Sequence, residues 1–206
     1  IVRQTRGQRC GSPDRNGAWT ADLREQIAGP TVEETSGKKA RNRNMADRNE
    51  ILNQWLRDAH AMEEQAEQLL RVQADRIENF PELQARLQQH ITETQSQRQR
   101  LEDCLKARGT GASGMKDAAG KFTAGLQTFS GMFVGDEVVK GSLASYTFEH
   151  MEIASYKILA AAARSVGDAK TAKVCEDIMR EEEAMAAWLI ENLAEVTTTY
   201  LRSEAA

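Results

Sequence analysis

Tyr146-Thr147-Phe148-Glu149-His150-Met151-Glu152-Ile153-Ala154-Ser155-Tyr156 is the stretch on which the reading of this chain turns. Tyr146, Ile153 and Tyr156 recur at helical steps, as on one buried face. Glu149 falls in the same series, and Glu152 sits beside it one turn on. The stripe extends both ways, through Val139, Ser142, Ala160 and Ala163, and predicts a helix from about Asp136 to Ser165. Gly167-Asp168 then turns the chain, with Asp168 placed to cap the next helix. That helix runs to about Thr199, with Val174, Ile178, Met185, Leu189 and Val196 inward and Glu182 inside the stripe.

The same pattern occurs earlier in the chain. A helix is predicted from Asp47 to Glu78, with Leu52, Leu56, Ala59, Ala66, Leu70 and Ile77 on one face and Glu63 among them. Asn79-Phe80-Pro81 makes a short turn, with Pro81 at a favoured first helical position. A second helix reaches about Arg108, with Leu83, Leu87, Ile91, Leu101 and Cys104/Leu105 inward. Its middle is polar: His90, Glu93, Thr94 and Gln97 lie near the inner face. Gly109-Thr110-Gly111 ends it. Residues 109–135 hold seven glycines, yet Phe122, Leu126, Phe129 and Phe133 keep helical spacing. They read as a long connection containing a short helix. Two helical hairpins joined by one long crossover define an all-α fold, a ferritin-like antiparallel four-helix bundle.

Composition agrees. The 206 residues are 40% hydrophobic, 5% aromatic and 28% charged, with three prolines. Such a profile excludes an immunoglobulin-like sandwich, a collagen or a disulfide-stapled toxin. No apolar run approaches the roughly 18 residues that span a bilayer; Ile158 to Ala163 is the best, and no membrane partner is expected. Cys10, Cys104 and Cys175 form no CxxC pair and suit reduced thiols in the cytoplasm.

Residues 1–44 differ from the rest. They carry nine Lys/Arg against five acids, whereas residues 45–206 carry 18 against 26. Without a helical stripe, and with Pro13 and Pro30, they read as a disordered basic tail. Two other readings stand beside that one: an arm for nucleic acid, disfavoured by the scatter of its cations, and an upstream extension that is not native, since Met45-Ala46-Asp47 reads like a translation start. The domain, residues 45–206, is acidic and a poor fit to nucleic acid.

Acids inside apolar stripes need an explanation. A buried, unpaired carboxylate costs several kcal/mol or becomes neutral. One such Glu could be a protonated core residue; several on four helices need a shared positive partner, and a pair of divalent metal ions is the economical one. Depth supports the grouping. Counted from the two turns at ~1.5 Å per residue, Glu152 and Glu182 are level to about 1.5 Å, and Glu63 and Glu93 differ by about 4–5 Å.

Leu56-Arg57-Asp58 with Met62-Glu63, His90-Ile91-Thr92-Glu93-Thr94, the 149–156 segment and Arg180-Glu181-Glu182 together resemble the YciE/YciF family of bacterial stress-associated ferritin-like proteins. The resemblance covers about Asn49 to Tyr200. It implies a cytoplasmic, usually dimeric protein with a carboxylate-bridged di-iron centre, and Fe(II) oxidation by oxygen or peroxide as its reaction. The expected metal residues are Glu63, Glu93, Glu149, Glu152 and Glu182, with Glu63 and Glu152 terminal or chelating and Glu93 and Glu182 bridging. His90, Gln97 and Tyr156 are expected beside them. Glu181 replaces Glu182 if the last helix is rotated, and His150 points a helical step away. Ferritin-like sites usually take Glu-x-x-His from two helices; here Ser96 and Met185 stand at those positions. An oxygen-rich site still suits iron or manganese. Those missing histidines favour an alternative, a non-enzymatic helical oligomerisation or adaptor module with a structural or vestigial site. A DNA-protecting protein using the basic tail is a third reading.

Overall fold

A computed structural model of the chain describes residues 32–77, 79–110 and 137–204, with side chains from Arg43 onward and, in the last stretch, from Val138. The chain divides into two compact units, residues 1–44 and 45–206. Four helices and no strand occur among the described residues: α1 Val32–Arg76, α2 Pro81–Ala107, α3 Glu137–Ser165 and α4 Ala169–Glu204. The class is all-α, as expected. The short helix expected within 109–135 and most of the expected tail lie outside the described residues.

One boundary differs substantially. α1 begins at Val32 and not near Asp47. Residues 32–46 have no apolar stripe, so periodicity is blind to them. They are nonetheless rich in Glu, Lys, Ala and Arg, which favour helix without any buried face.

Glycine turns fix the helix ends. Gly167 adopts φ +80° and Gly109 φ +72°, conformations open to a residue without Cβ. At the first, Asp168 N–H bonds the Ala163 carbonyl at 2.9 Å and Gly167 N–H that of Arg164 at 3.0 Å. At the second, Thr110 and Gly109 make the same two bonds to Leu105 and Lys106, both at 3.0 Å. Both are Schellman closures. Asp168 then caps α4, its Oδ1 accepting from Thr171 N–H at 3.0 Å. Pro81 opens α2 in the first turn.

Cross-helix bonds give the directions. Gln84 reaches the Ala74 carbonyl, Gln95 reaches Glu67, and Arg108 reaches Asn53, so α1 and α2 are antiparallel. Ser145 to Gln73 and Tyr156 to Glu63 make α1 and α3 antiparallel. Arg108 to Asp168 and Gln97 to Glu182 do the same for α2 and α4. Hence α2 and α3 point the same way.

The core is two apolar clusters, each drawing on all four helices. One holds Leu52, Leu56, Leu101, Leu105, Tyr156, Leu159 and Ile178; the other Leu70, Ile77, Leu83, Leu87, Met185 and Leu189. Fully burying such a side chain contributes about 1.5–3 kcal/mol. Between the clusters lies a layer of buried polar groups: Glu63 and Glu67 of α1, His90, Thr94 and Gln97 of α2, Glu149 and Glu152 of α3, and Glu182 of α4. No described helix is long and apolar enough to cross a membrane.

Candidate metal centre

α1, α3 and α4 deliver acids to the middle layer because those acids occupy stripe positions between apolar neighbours. Glu63, Glu149, Glu152 and Glu182 are each 1% exposed. His90 joins them from α2. Its Nε2 lies 3.2 Å from Glu149 Oε2 and 3.3 Å from Glu182 Oε2. Ligand atoms of these three residues all fall within 4.8 Å of one another.

The other expected residues arrange themselves around this cluster. Glu93 lies on the opposite edge of the imidazole, 2.9 Å from Nδ1. Its oxygens also accept from Gln89 at 2.8 Å and from Arg86 at 3.1 Å. Tyr156, fully buried, donates its hydroxyl to Glu63 Oε1. Gln97 donates to Glu182 Oε1 and, at 3.1 Å, to Glu181 Oε2. Glu182 is the inward member of its pair and Glu181 is part-exposed, with Arg100 donating to it. His150 is exposed and meets Tyr146 edge-on with ring centroids 4.5 Å apart. Cys104 and Cys175 are buried, reduced thiols.

Electrostatics in the layer are unbalanced. Apart from Glu67, which Arg71 and Arg98 meet, four buried carboxylates share the layer with one imidazole, so their full ionisation would leave a net charge of −3 even with His90 protonated. Burial works against a charge on His90, but Glu149, Glu182 and Glu93 outweigh it and hold the imidazolium up to about 12. The His90 bond, with those from Gln89 and Arg86, pulls Glu93 down to about 2 against its own desolvation. Glu152 is pushed well above the ordinary carboxyl range by burial first, then by Glu63, Glu182 and Glu149. Glu63 is raised by burial and by Glu182, although the Tyr156 hydroxyl opposes this. Glu182 is raised by burial and by Glu149, against the His90 contact.

Hydrogen bonding is incomplete in the same place. Glu149 Oε2, Glu152 Oε1, Glu182 Oε2 and Gln97 Oε1 are buried acceptors with no hydrogen-bond donor. The His90 contacts to the two glutamates are close without hydrogen-bond alignment. Buried polar groups are ordinarily satisfied. A cluster of unfilled oxygen acceptors plus one imidazole nitrogen fits a first-row divalent cation in donor type.

Arg100 on Glu181 and Arg86 on Glu93 were not singled out by the sequence pattern. Nor was Glu67, which accepts from Gln95 at 2.7 Å and pairs with Arg71 at 2.8 Å and Arg98 at 2.9 Å. Arg100–Glu181, Gln95–Glu67 and Arg98–Glu67 join different helices, and no one-dimensional spacing marks them; Arg71–Glu67 and Arg86–Glu93 each lie within one helix.

Fold and site together define a class: helical bundles carrying a carboxylate-rich cluster, able to hold metal, at mid-height. Residues 47–202 match the family described as a domain of unknown function, DUF892, and the chain belongs to that family. A protein of known structure from Xanthomonas campestris pv. campestris is 40% identical, with 78% of this chain covering 99% of that one at a TM-score of 0.65. The E. coli stress protein YciF shares the fold at 21% identity, with 73% of this chain covering 97% of that one and a TM-score of 0.60.

Proposed function

We propose that the chain is a ferritin-like, two-metal carboxylate protein that oxidises Fe(II) with oxygen or peroxide. The observation that carries this reading is the set of buried, donorless carboxylate oxygens on Glu149, Glu152 and Glu182, grouped with His90. Acceptors without donors, in excess of the local positive charge, are what a cation completes.

Glu63, Glu149, Glu152 and Glu182 would hold the ions, with His90 Nε2 as the nitrogen donor. Glu93 fixes the ring through Nδ1 and so sets which nitrogen is offered, a role different from bridging. Gln97 orients Glu182, and Tyr156 orients Glu63. When bound, iron supplies the one-electron chemistry; manganese would shift the reaction towards peroxide. The apolar clusters on both sides limit water in the layer. In this reading the protein is a cytoplasmic homodimer that limits radical chemistry, and the resemblance to a stress-associated family supports it.

The decisive experiment is metal content per chain on untagged protein from iron- and manganese-supplied cells, followed by oxygen consumption on Fe(II) addition. Two irons per chain with oxygen uptake are the expected result. A folded bundle that neither contains nor takes up metal would refute the reading. The single histidine favours one competitor, a helical adaptor with a structural site; bound metal without oxygen or peroxide turnover would select it.

A further inference from the structure

The middle layer is connected to the surface by one continuous line of contacts between α2 and α4. It begins at Arg100 and Glu181, whose side chains are 28% and 36% exposed. Arg100 Nη2 donates to Glu181 Oε2. The same oxygen accepts from Gln97 Nε2 at 3.1 Å. Gln97, with no exposed surface, donates onward to Glu182 Oε1. Glu182 touches His90 and belongs to the metal-ligating group.

Two features of this line point to a cation. Gln97 Oε1 is fully buried and has no donor, although its amide lies between two glutamates. The atom that meets both carboxylates is Nε2; a half-turn of the amide would bring Oε1 to them, and a carbonyl oxygen with two carboxylates is an oxygen-ligand set of the kind that binds hard divalent ions. Second, the group now on Glu181 is itself a cation. A divalent ion arriving along this line would have to displace or pass Arg100.

We propose that Glu181 and Gln97 form an outer cation subsite through which divalent metal reaches Glu182, and that Arg100 occupies this subsite in the metal-free chain. The inference rests on the metal-binding reading above and adds a route and a latch to it. Glu181 presents a part-exposed carboxylate to solution. Gln97 relays the ion because its amide contacts the outer and inner carboxylates at once. Arg100 slows uptake by holding Glu181 and by placing a like charge at the mouth.

The test is the rate of Mn²⁺ uptake by the full chain, followed by loss of the free-ion paramagnetic resonance signal after rapid mixing, together with final stoichiometry. Arg100→Gln should load several-fold faster. Glu181→Gln should load about tenfold slower, a modest change for a charge that steers association. Arg100→Lys keeps the charge without the planar fork and should fall between wild type and Arg100→Gln. Final stoichiometry should match wild type in all three, since inner ligands are intact. Equal loading rates at equal stoichiometry would overturn the subsite and leave metal binding standing. No uptake by folded wild-type protein would overturn both. If Arg100→Gln fails to fold, the Arg100→Lys and Glu181→Gln rates still decide the matter.

Discussion

Replacing Glu152 by Gln should stabilise the metal-free protein and weaken its response to metal, and the opposed signs are the informative part. Glu152 is buried, its Oε1 has no donor, and three carboxylates act on it. Gln is nearly isosteric, carries no charge and brings a donor to a layer full of acceptors. Removing an unsatisfied buried group is worth about 1–3 kcal/mol, and in a domain of this size each kcal/mol moves Tm by about 2–4 °C. The metal-free variant should therefore melt roughly 2–12 °C higher. Burial holds the Glu152 carboxyl above its ordinary value of 4.5, so the folded state binds its proton more tightly than the unfolded state. Metal-free wild type accordingly loses stability as pH rises from about 4.5 towards the raised value. The variant should show a shallower decline, with Glu63 and Glu182 supplying the remainder. In the loaded state the gap narrows. At a free metal concentration 100 times Kd, wild type gains about 2.7 kcal/mol; a tenfold loss of affinity cuts that to about 1.4 kcal/mol. Urea melts with chelator and with Mn²⁺, across pH 4 to 8, measure every arm. A variant less stable than wild type without metal, yet equally stabilised by Mn²⁺, would refute the idea that this acid is held for a cation.

Tyr156→Phe removes the hydroxyl that Glu63 accepts; Mn²⁺ affinity by calorimetry should fall about 10–100-fold, the usual cost of losing an orienting partner. Leu87→Ala, at a fully buried position, should cost about 2–5 kcal/mol in urea unfolding, with metal stoichiometry intact at low temperature. Asp168→Asn keeps an N-cap residue but drops the charge that meets Arg108. The Thr171 and Arg108 bonds hold the Asp168 carboxyl below its usual range despite partial desolvation. Its contribution is thus full at neutral pH and lost as pH falls through about 4 and below. Wild type and variant should differ by about 1 kcal/mol at pH 7 and converge in acid melts.

The inward positions of Glu63, Glu149, Glu152 and Glu182 were legible because a helix repeats its buried face every three to four residues. An acid on that face declares itself in the sequence. The turns at Gly109 and Gly167 were legible for a similarly local reason. Glu93 shows the limit. Spacing puts it and His90 on one face, but which of them meets the other helices depends on ring edges and rotamers. The Arg108 contacts show a second limit. Its guanidinium reaches Asn53 at 2.6 Å and Asn49 at 2.8 Å, and also Asp168, joining the ends of α2 and α4 to the interior of α1, which no pattern connects. The start of α1 shows a third, since residues 32–46 carry no apolar stripe for periodicity to find.

The polar layer also divides the molecule's cooperativity. Each apolar cluster takes residues from all four helices, so neither is a hairpin able to persist alone, and each is closed only when distant parts of the chain have met. Between them the layer sets repelling acids and four unpartnered acceptors in place of apolar packing, so the clusters are linked less by packing than by helix backbone passing from one to the other. Amide protons at mid-helix, around Glu63, Gln97, Glu152 and Glu182, should therefore exchange sooner than those at Leu56 or Leu87 on either side. A protein with its softest point at its centre inverts the usual order, in which ends fray and the middle holds. A cation shared across the four helices would tie the two halves into a single unfolding unit.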